Sequence, residues 1–237
     1  MNQASAIPAV SVVVPVFNEE ENVSILQSEL RAALSRLDYE IVFVDDGSTD
    51  RSAEKIETAP NIRILRFQRN AGQSAALYAG IRAARGETIV MIDGDLQNDP
   101  ADIPRLLEQI LRGADLVCGY RAKRKDTITK RMTSRIANFV RSRFTKDYVR
   151  DTGCTLKAMR RKCADALVPF KGMHRFIPAL IRGAGHRRAD RSARASQQNQ
   201  TGRPRQHPRL AQTARRNDEH RDWFRDCHSA LLIRSDR

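Results

Sequence analysis

No stretch of the 237 residues approaches 18 consecutive apolar positions, so a membrane-spanning helix is not expected. The N-terminus lacks a basic n-region, which argues against a secretory signal. Four cysteines, Cys118, Cys154, Cys163 and Cys227, form no CxxC pair and no regular zinc spacing, and read as reduced thiols of a cytosolic chain. No GxGxxG follows the first expected strand, and no GxxxxGK[ST] loop occurs. These absences argue against a dinucleotide dehydrogenase and a P-loop ATPase. Lysine is missing from Arg187 onward, where 13 arginines and 6 acids give a net charge of +7 in 51 residues.

The chain carries 42 Lys+Arg against 28 Asp+Glu, a formal net charge of +14. A balance this basic points to an anionic partner: nucleic acid, a membrane surface or a phosphate-bearing substrate. Hydrophobic residues make up 41% of the sequence, enough for a folded core. The length suits one large domain, or one domain with an appendage. Only half of the net charge lies before Arg187, so the two parts differ in character as well as in lysine content.

Apolar runs alternate with helical periods. Strands are expected at Val10–Phe17, Ile41–Val44, Ile62–Phe67, Thr88–Ile92 and Leu116–Cys118. Helices are expected over 18–37, where Val23, Leu26, Leu30, Leu34 and Leu37 keep helical spacing, and at Ser52–Glu57, Ala75–Arg85 and Ile103–Leu111. Strands apolar on both faces and separated by helices predict an α/β fold, with a mostly parallel sheet covered by helices on both faces. In such sheets ligands sit beyond the carboxyl ends of the strands. Polar clusters fall at those ends: Asn18-Glu19-Glu20, Asp45-Asp46, Asp93-Gly94-Asp95 and Tyr120-Arg121.

Asp93 and Asp95 flank a glycine just after a buried strand. Two carboxylates so placed suit a hard divalent ion that also holds a diphosphate. Taken alone, the pair reads equally as a turn with capping acids before Asp99-Pro100. Asp45-Asp46 is ambiguous too: Asp50 can cap a following helix, Asp46 can accept from a base or ribose, and an acidic pair at a strand end also resembles a phospho-acceptor receiver domain.

The combination is more specific. Val12-Val13-Val14-Pro15-Val16-Phe17-Asn18-Glu19-Glu20-Glu21-Asn22, Val44-Asp45-Asp46-Gly47-Ser48-Thr49-Asp50, Asn70-Ala71-Gly72-Gln73 and Met91-Ile92-Asp93-Gly94-Asp95-Leu96-Gln97-Asn98-Asp99-Pro100 resemble, in order and spacing, the family 2 inverting glycosyltransferases. The polyprenyl-phosphate branch, with dolichol-phosphate mannosyltransferase and bacterial undecaprenyl-phosphate glycosyltransferases, is the most similar. The resemblance covers about residues 8–186 and includes Gly119-Tyr120-Arg121, Arg131 to Asn138, Asp151-Thr152-Gly153-Cys154 and Gly172-Met173-His174-Arg175-Phe176. It implies a nucleotide-diphospho-sugar transferase (GT-A-like) fold. It also implies metal-dependent transfer of a sugar from a UDP- or GDP-sugar to a polyprenyl phosphate. Pro15, Phe17, Asn18 and Glu19 would line the nucleotide pocket, with Asp46 on the base or ribose and Asp93 near ribose and metal. Asp95 and Gln97 would hold Mg²⁺ or Mn²⁺ against the diphosphate.

A lipid phosphate is already an oxyanion at neutral pH, so the site needs cations more than a base. Arg121 and Arg131 are the candidates for the acceptor phosphate, with Ser134 adding a hydrogen bond and His174 shaping the acceptor side. Thr127–Lys146 is expected to form a basic amphipathic helix, either packed on the domain or lying on an anionic membrane surface. The expected location is peripheral, on the cytoplasmic side of the inner membrane; a homo-oligomer is a further candidate assembly. A saccharide acceptor, or nucleic-acid binding through the Arg-rich tail, are the competing readings.

After Gly185 the resemblance stops. Only 13 of the last 51 residues are apolar, so residues 187–237 are expected to be disordered. The abrupt loss of both family pattern and lysine suggests a shift of reading frame near residue 186. A frame moved by one nucleotide would permit an apolar run across Asn217–His228.

Overall fold

Valine and isoleucine dominate the strand segments, and their branched side chains pack on both faces of a pleated sheet. The computed structural model describes residues 8–121 and 154–187, with Ala189 and Arg194–Ala195. Strands β1 (Val10–Val16), β2 (Tyr39–Asp45), β3 (Ile62–Arg66) and β4 (Thr88–Met91) run parallel, and β5 (Leu116–Cys118) joins them through β7. β7 (Lys157–Arg160) is antiparallel to both β4 and β5. The spatial order is β3-β2-β1-β4-β7-β5. A short separate pair joins β6 (Tyr120–Arg121) to β8 (Arg194–Ala195). The order reverses direction at β1, which places a switch point between β1 and β4.

Alternation along β1 divides the core. Val12, Val14 and Val16 face a cluster with Leu26, Leu30 and Leu34 of α1 (Val23–Leu34) and Leu106 and Ile110 of α3 (Ile103–Leu111). Val13 faces the other cluster, with Leu77 and Ile81 of α2 (Gln73–Ala83), then Met173, Ile177 and Ile181. The helices α4 (Arg161–Asp165) and α5 (Ile177–Gly183) complete that layer. Helix α2 lies unusually close to the sheet. A Cβ on Gly80 would stand 2.3 Å from Val13 Cγ1 and 2.9 Å from Val44 Cγ2. Only glycine permits that approach, and it sets the height of the N-terminus of α2 above the strand ends.

The expected helix over 18–37 begins five residues late, at Val23. Asn18 has a positive φ of 55° and turns the chain out of β1 before the helix starts. The expected helix at Ser52–Glu57 is replaced by turns. One helical bond forms, Lys55 N–H to Arg51 O at 3.2 Å. Beyond it the Gln27 side chain takes both backbone groups of Glu57, donating to its carbonyl at 2.6 Å and accepting its N–H at 3.1 Å. The chain past α5 returns to β5, where Arg187 O accepts from Asp115 N at 2.7 Å and Ala189 N donates to Leu116 O at 3.0 Å. The expected amphipathic helix at Thr127–Lys146, with Arg131 and Ser134, lies outside the described residues. So does nearly all of the tail, where disorder and a shifted reading frame are expected.

At the amino-terminal end of the sheet Glu40 is fully buried. Its carboxylate accepts from Ser11 Oγ at 2.6 Å, Arg63 Nη2 at 2.9 Å and Arg85 Nε at 3.0 Å, as well as from the Arg85 backbone N–H. Burial alone would raise its pKa; the Ser11 hydroxyl, the Arg85 N–H and the Arg63 guanidinium reverse this and hold it below the ordinary 4.5. Glu40→Ala should therefore cost about 3 kcal/mol in urea unfolding at pH 7, from orphaned donors in a closed site. The gap between wild type and variant should be full above about pH 4.5 and shrink as pH falls through the lowered folded-state pKa.

Candidate active site

Three loops leave the carboxyl ends of β1, β2 and β4 and are tied to one another. Asn18 donates its N–H to Ser48 Oγ at 3.0 Å and accepts the Thr49 N–H at 2.8 Å on its side chain. Glu19 N–H reaches Ser52 Oγ at 2.8 Å, and Glu20 N–H reaches Asp50 at 3.2 Å. Asp50 thus closes the loop-to-loop seam and also accepts the Ser52 N–H at 2.9 Å, a capping bond on the turn that replaces the expected helix. The third loop packs from above: a Cβ on Gly94 would lie 3.2 Å from Pro15 O and 3.6 Å from Glu19 Cγ. These contacts bring Pro15, Phe17, Asn18, Glu19, Asp93, Asp95 and Gln97 to one edge. Among the described residues only Asn18 and Leu96 combine a side chain with positive φ, both at 55° and both here. Such strained backbone collects at functional sites.

Asp46 is buried at the end of β2. Its carboxylate accepts from Ala71 N at 2.7 Å, Gly72 N at 2.9 Å and Asn70 Nδ2 at 3.0 Å. Gly47, with φ of 71°, makes room for this: a Cβ there would be 2.5 Å from the Arg69 carbonyl carbon. Burial raises the Asp46 pKa to about 6, against the pull of the Ala71 and Gly72 N–H groups and with a contribution from Asp45. Asp93 accepts from Gln73 Nε2 at 2.7 Å and from the Thr155 hydroxyl. Burial raises its pKa too, opposed by Thr155, reinforced by Asp95 and relieved by Lys157 and Gln73. Asp95, half-buried, accepts the Gln97 N–H at 3.1 Å.

The two carboxylates therefore have different surroundings. Asp93 has a side-chain donor on each oxygen, from Gln73 and Thr155, whereas Asp95 accepts the backbone N–H of Gln97. Among the described residues no group of three His, Cys, Asp or Glu gathers into a closed metal cage. A magnesium-like ion does not need one, since it keeps waters and takes one or two carboxylates plus substrate phosphates. The hard-oxygen set of Asp95, Gln97 and Asp93 fits such an ion.

Thr155, Lys157, Gln73 and Ser74 were not anticipated as site residues. Gln73 and Ser74 open α2 directly behind the Asn70–Gly72 motif. Thr155 and Lys157 share one side of the strand that follows Cys154, a period-two signal readable only once β7 is placed against β4. Lys157 is 2% exposed, and its ammonium donates to the Cys154 carbonyl. His174 Nδ1 lies 2.8 Å from Ser74 Oγ, which also accepts the Gly172 N–H at 3.1 Å. Burial, then the cations Arg175 and Lys157, depress the His174 pKa to about 4. Arg121 stands on β6 with its backbone opposite Ala195. Arg131 and Ser134 lie outside the described residues and are not brought to the site by them.

Residues 11–168 match the family model for glycosyl transferase family 2. The chain is 41% identical over 184 residues to an undecaprenyl-phosphate 4-deoxy-4-formamido-L-arabinose transferase of Pseudomonas fluorescens, covering 75% of this chain and 54% of that protein. A transferase of the same name from Yersinia enterocolitica is 39% identical over 187 residues, covering 76% and 57%. The chain thus spans about half the length of the curated relatives it matches. Glucosyl-3-phosphoglycerate synthase from Mycobacterium tuberculosis, solved with Mn²⁺, UDP and glucosyl-3-phosphoglycerate, superposes with a TM-score of 0.59 at 24% identity, over 72% of this chain and 64% of that one. That likeness places the fold in the GT-A-like class.

An NMR titration of the imidazoles, assigned by comparison with His174→Gln, should place the His174 inflection near pH 4, below the ordinary 6.5. The unfolded chain binds this proton first, so the folded state should lose stability as pH falls from about 6.5 towards 4. An inflection between pH 6 and 7 would contradict a buried, neutral ring.

Proposed function

Given that the chain belongs to glycosyl transferase family 2, we propose that its site moves a sugar from a nucleotide-sugar to a polyprenyl phosphate, with inversion at the anomeric carbon. The observation that carries the reading is the Asp93-Gly94-Asp95 pair at the switch point, in a chain 41% identical to an undecaprenyl-phosphate sugar transferase. The crevice of Pro15, Phe17, Asn18 and Glu19 would take the nucleoside, and UDP is favoured over GDP because UDP occupies a structural neighbour. Asp46 would act on the nucleoside through the Asn70–Gly72 turn that it holds.

A divalent ion held by Asp95, with Gln97 and Asp93 beside it, would supply charge neutralisation for the leaving diphosphate. Mn²⁺ is the first choice, since it accompanies UDP in that neighbour, with Mg²⁺ equally suited to the oxygen donors. The lipid phosphate attacks the anomeric carbon from the face opposite the diphosphate. Arg121, Arg131 and Ser134 would receive that phosphate, and buried Lys157 adds a fixed positive charge at the same edge. The enzyme would work peripherally, at the cytoplasmic face of the inner membrane; no helix among the described residues is long and apolar enough to cross a bilayer.

The state of the acids and of His174 favours a phosphate acceptor over a saccharide hydroxyl. A hydroxyl needs a general base, ideally with a pKa near the working pH. Asp46, its pKa raised to about 6, meets the pKa condition but has both oxygens taken by Asn70, Ala71 and Gly72; Asp93 is held on both oxygens by Gln73 and Thr155; and His174, with its pKa near 4, is a weak proton acceptor. An acceptor that arrives already ionised needs none of them as a base.

The test incubates the protein with Mn²⁺ or Mg²⁺, a panel of UDP- and GDP-sugars, and undecaprenyl phosphate. Sugar should pass to the lipid, and Asp95→Ala should lower turnover by about 10²–10³-fold with its circular dichroism unchanged. Wild-type turnover in that variant, or product formed only with saccharide acceptors, would overturn the assignment.

A further inference from the structure

We propose that Val168–Phe176 is a membrane-contact surface that seats the acceptor side of the site on an anionic bilayer. This deepens the function proposed above and rests on it for the lipid-borne acceptor. Val168 is 62% exposed and Phe176 44% exposed. The Phe170 ring lies 5.9 Å from the Phe176 ring and props it outward. Lys171 and Arg175, both exposed, stand between them. From Ala166 to Arg187 the chain carries the cations Lys171, Arg175, Arg182 and Arg187 and no Asp or Glu.

Aromatic and aliphatic tips set among cations match the interface of an anionic bilayer, where rings enter the headgroup level and cations meet lipid phosphates; the preceding acid, Asp165, faces Arg82 at 3.7 Å. A nucleic-acid backbone would use the same cations and gain nothing from exposed Val168. The exposure does not come from a loose loop. Leu167, Met173, Ile177 and Ile181 of the same stretch are buried in the core. The other large exposed hydrophobics among the described residues, Ile25, Leu37 and Leu111, lie on or just after α1 and α3, which pack on the opposite face of the sheet.

Position carries the argument further. Ser74, in the first turn of α2, holds this segment twice, at His174 Nδ1 and at the Gly172 N–H. The loop entering that turn holds Asp46 through Ala71 and Gly72, and the turn's Gln73 holds Asp93. Lys171, Arg175 and Phe176, which flank Gly172 and His174, therefore stand beside the edge where an acceptor phosphate would enter. A bilayer meeting them would present its headgroups there.

The test is a local fluorescence probe in the full chain. Phe176→Trp is made together with Trp223→Phe, which removes the sole native tryptophan. The introduced indole should shift to the blue and be quenched by lipids brominated in their acyl chains, in phosphatidylcholine vesicles with about one quarter phosphatidylglycerol. Adding Lys171→Glu should raise the lipid concentration for half-quenching at least about fivefold. Val168→Trp in the same background provides a second probe should the first variant misfold by thermal unfolding. Absence of quenching at both positions, equal quenching by neutral vesicles, indifference to Lys171→Glu, or a response to duplex oligonucleotide in place of vesicles would overturn the proposal. The readout needs no sugar transfer, so a failed transferase assay with quenching intact would count against the function and not against this surface.

Discussion

The turn that enters α2 at Asn70–Gly72, with that helix's first two residues, is the constraint on which the site depends. Within five residues, Asn70 to Ser74, it supplies three donors to Asp46, one to Asp93 and a hydroxyl to His174 and Gly172. Buried carboxylates are costly unless their oxygens are hydrogen-bonded, and the loop entering α2 supplies the Ala71 and Gly72 N–H groups to Asp46. The turn can do this only because α2 rides low on the sheet. Gly80 sets that height against Val13 and Val44, so packing in the core reaches directly into the geometry of the acids. Gly47 plays the complementary part by letting the 69–72 segment cross above β2.

Charge explains the chemistry that this geometry suits. Transfer between a sugar diphosphate and a lipid phosphate brings two anions together, and a site for it must offset repulsion before anything else. The protein meets that need with a dicarboxylate suited to a divalent ion, a fully buried lysine behind it and an acid-free basic stretch beside it. Asp46 and Asp93 have both carboxylate oxygens occupied by protein donors, which agrees with an acceptor that arrives ionised. The +7 that lies before Arg187 fits the proposed phosphate and bilayer partners better than nucleic acid.

Much of the fold was legible because the strands are apolar on both faces and the helices keep their period. β5 and α3 fall on their expected residues, and the switch-point acids stand at strand ends as expected. What periodicity could not reveal is informative. The segment from Asn18 to Asn22 keeps an apparent helical register, yet a positive φ at Asn18 turns it into the loop that ties β1 to the segment after β2. The antiparallel strand β7 is only four residues long, and with it Lys157 and Thr155 remained invisible as partners of Asp93. A lysine in sequence reads as surface; only its pairing between β4 and β5 shows that it is buried. Gln73 and Ser74 lay inside a recognised motif, but their targets are 20 and 100 residues away, beyond any local pattern.

The central claim is that an ionised lipid phosphate displaces a nucleotide diphosphate from the opposite face of the sugar. It is tested most directly by NMR of the product made from a donor carrying ¹³C at the anomeric carbon. The account predicts coupling of that carbon to the single phosphorus of the lipid, with the anomeric configuration opposite to that of the donor. Retained configuration, or label recovered on a hydroxyl acceptor with no coupling to lipid phosphorus, would contradict it.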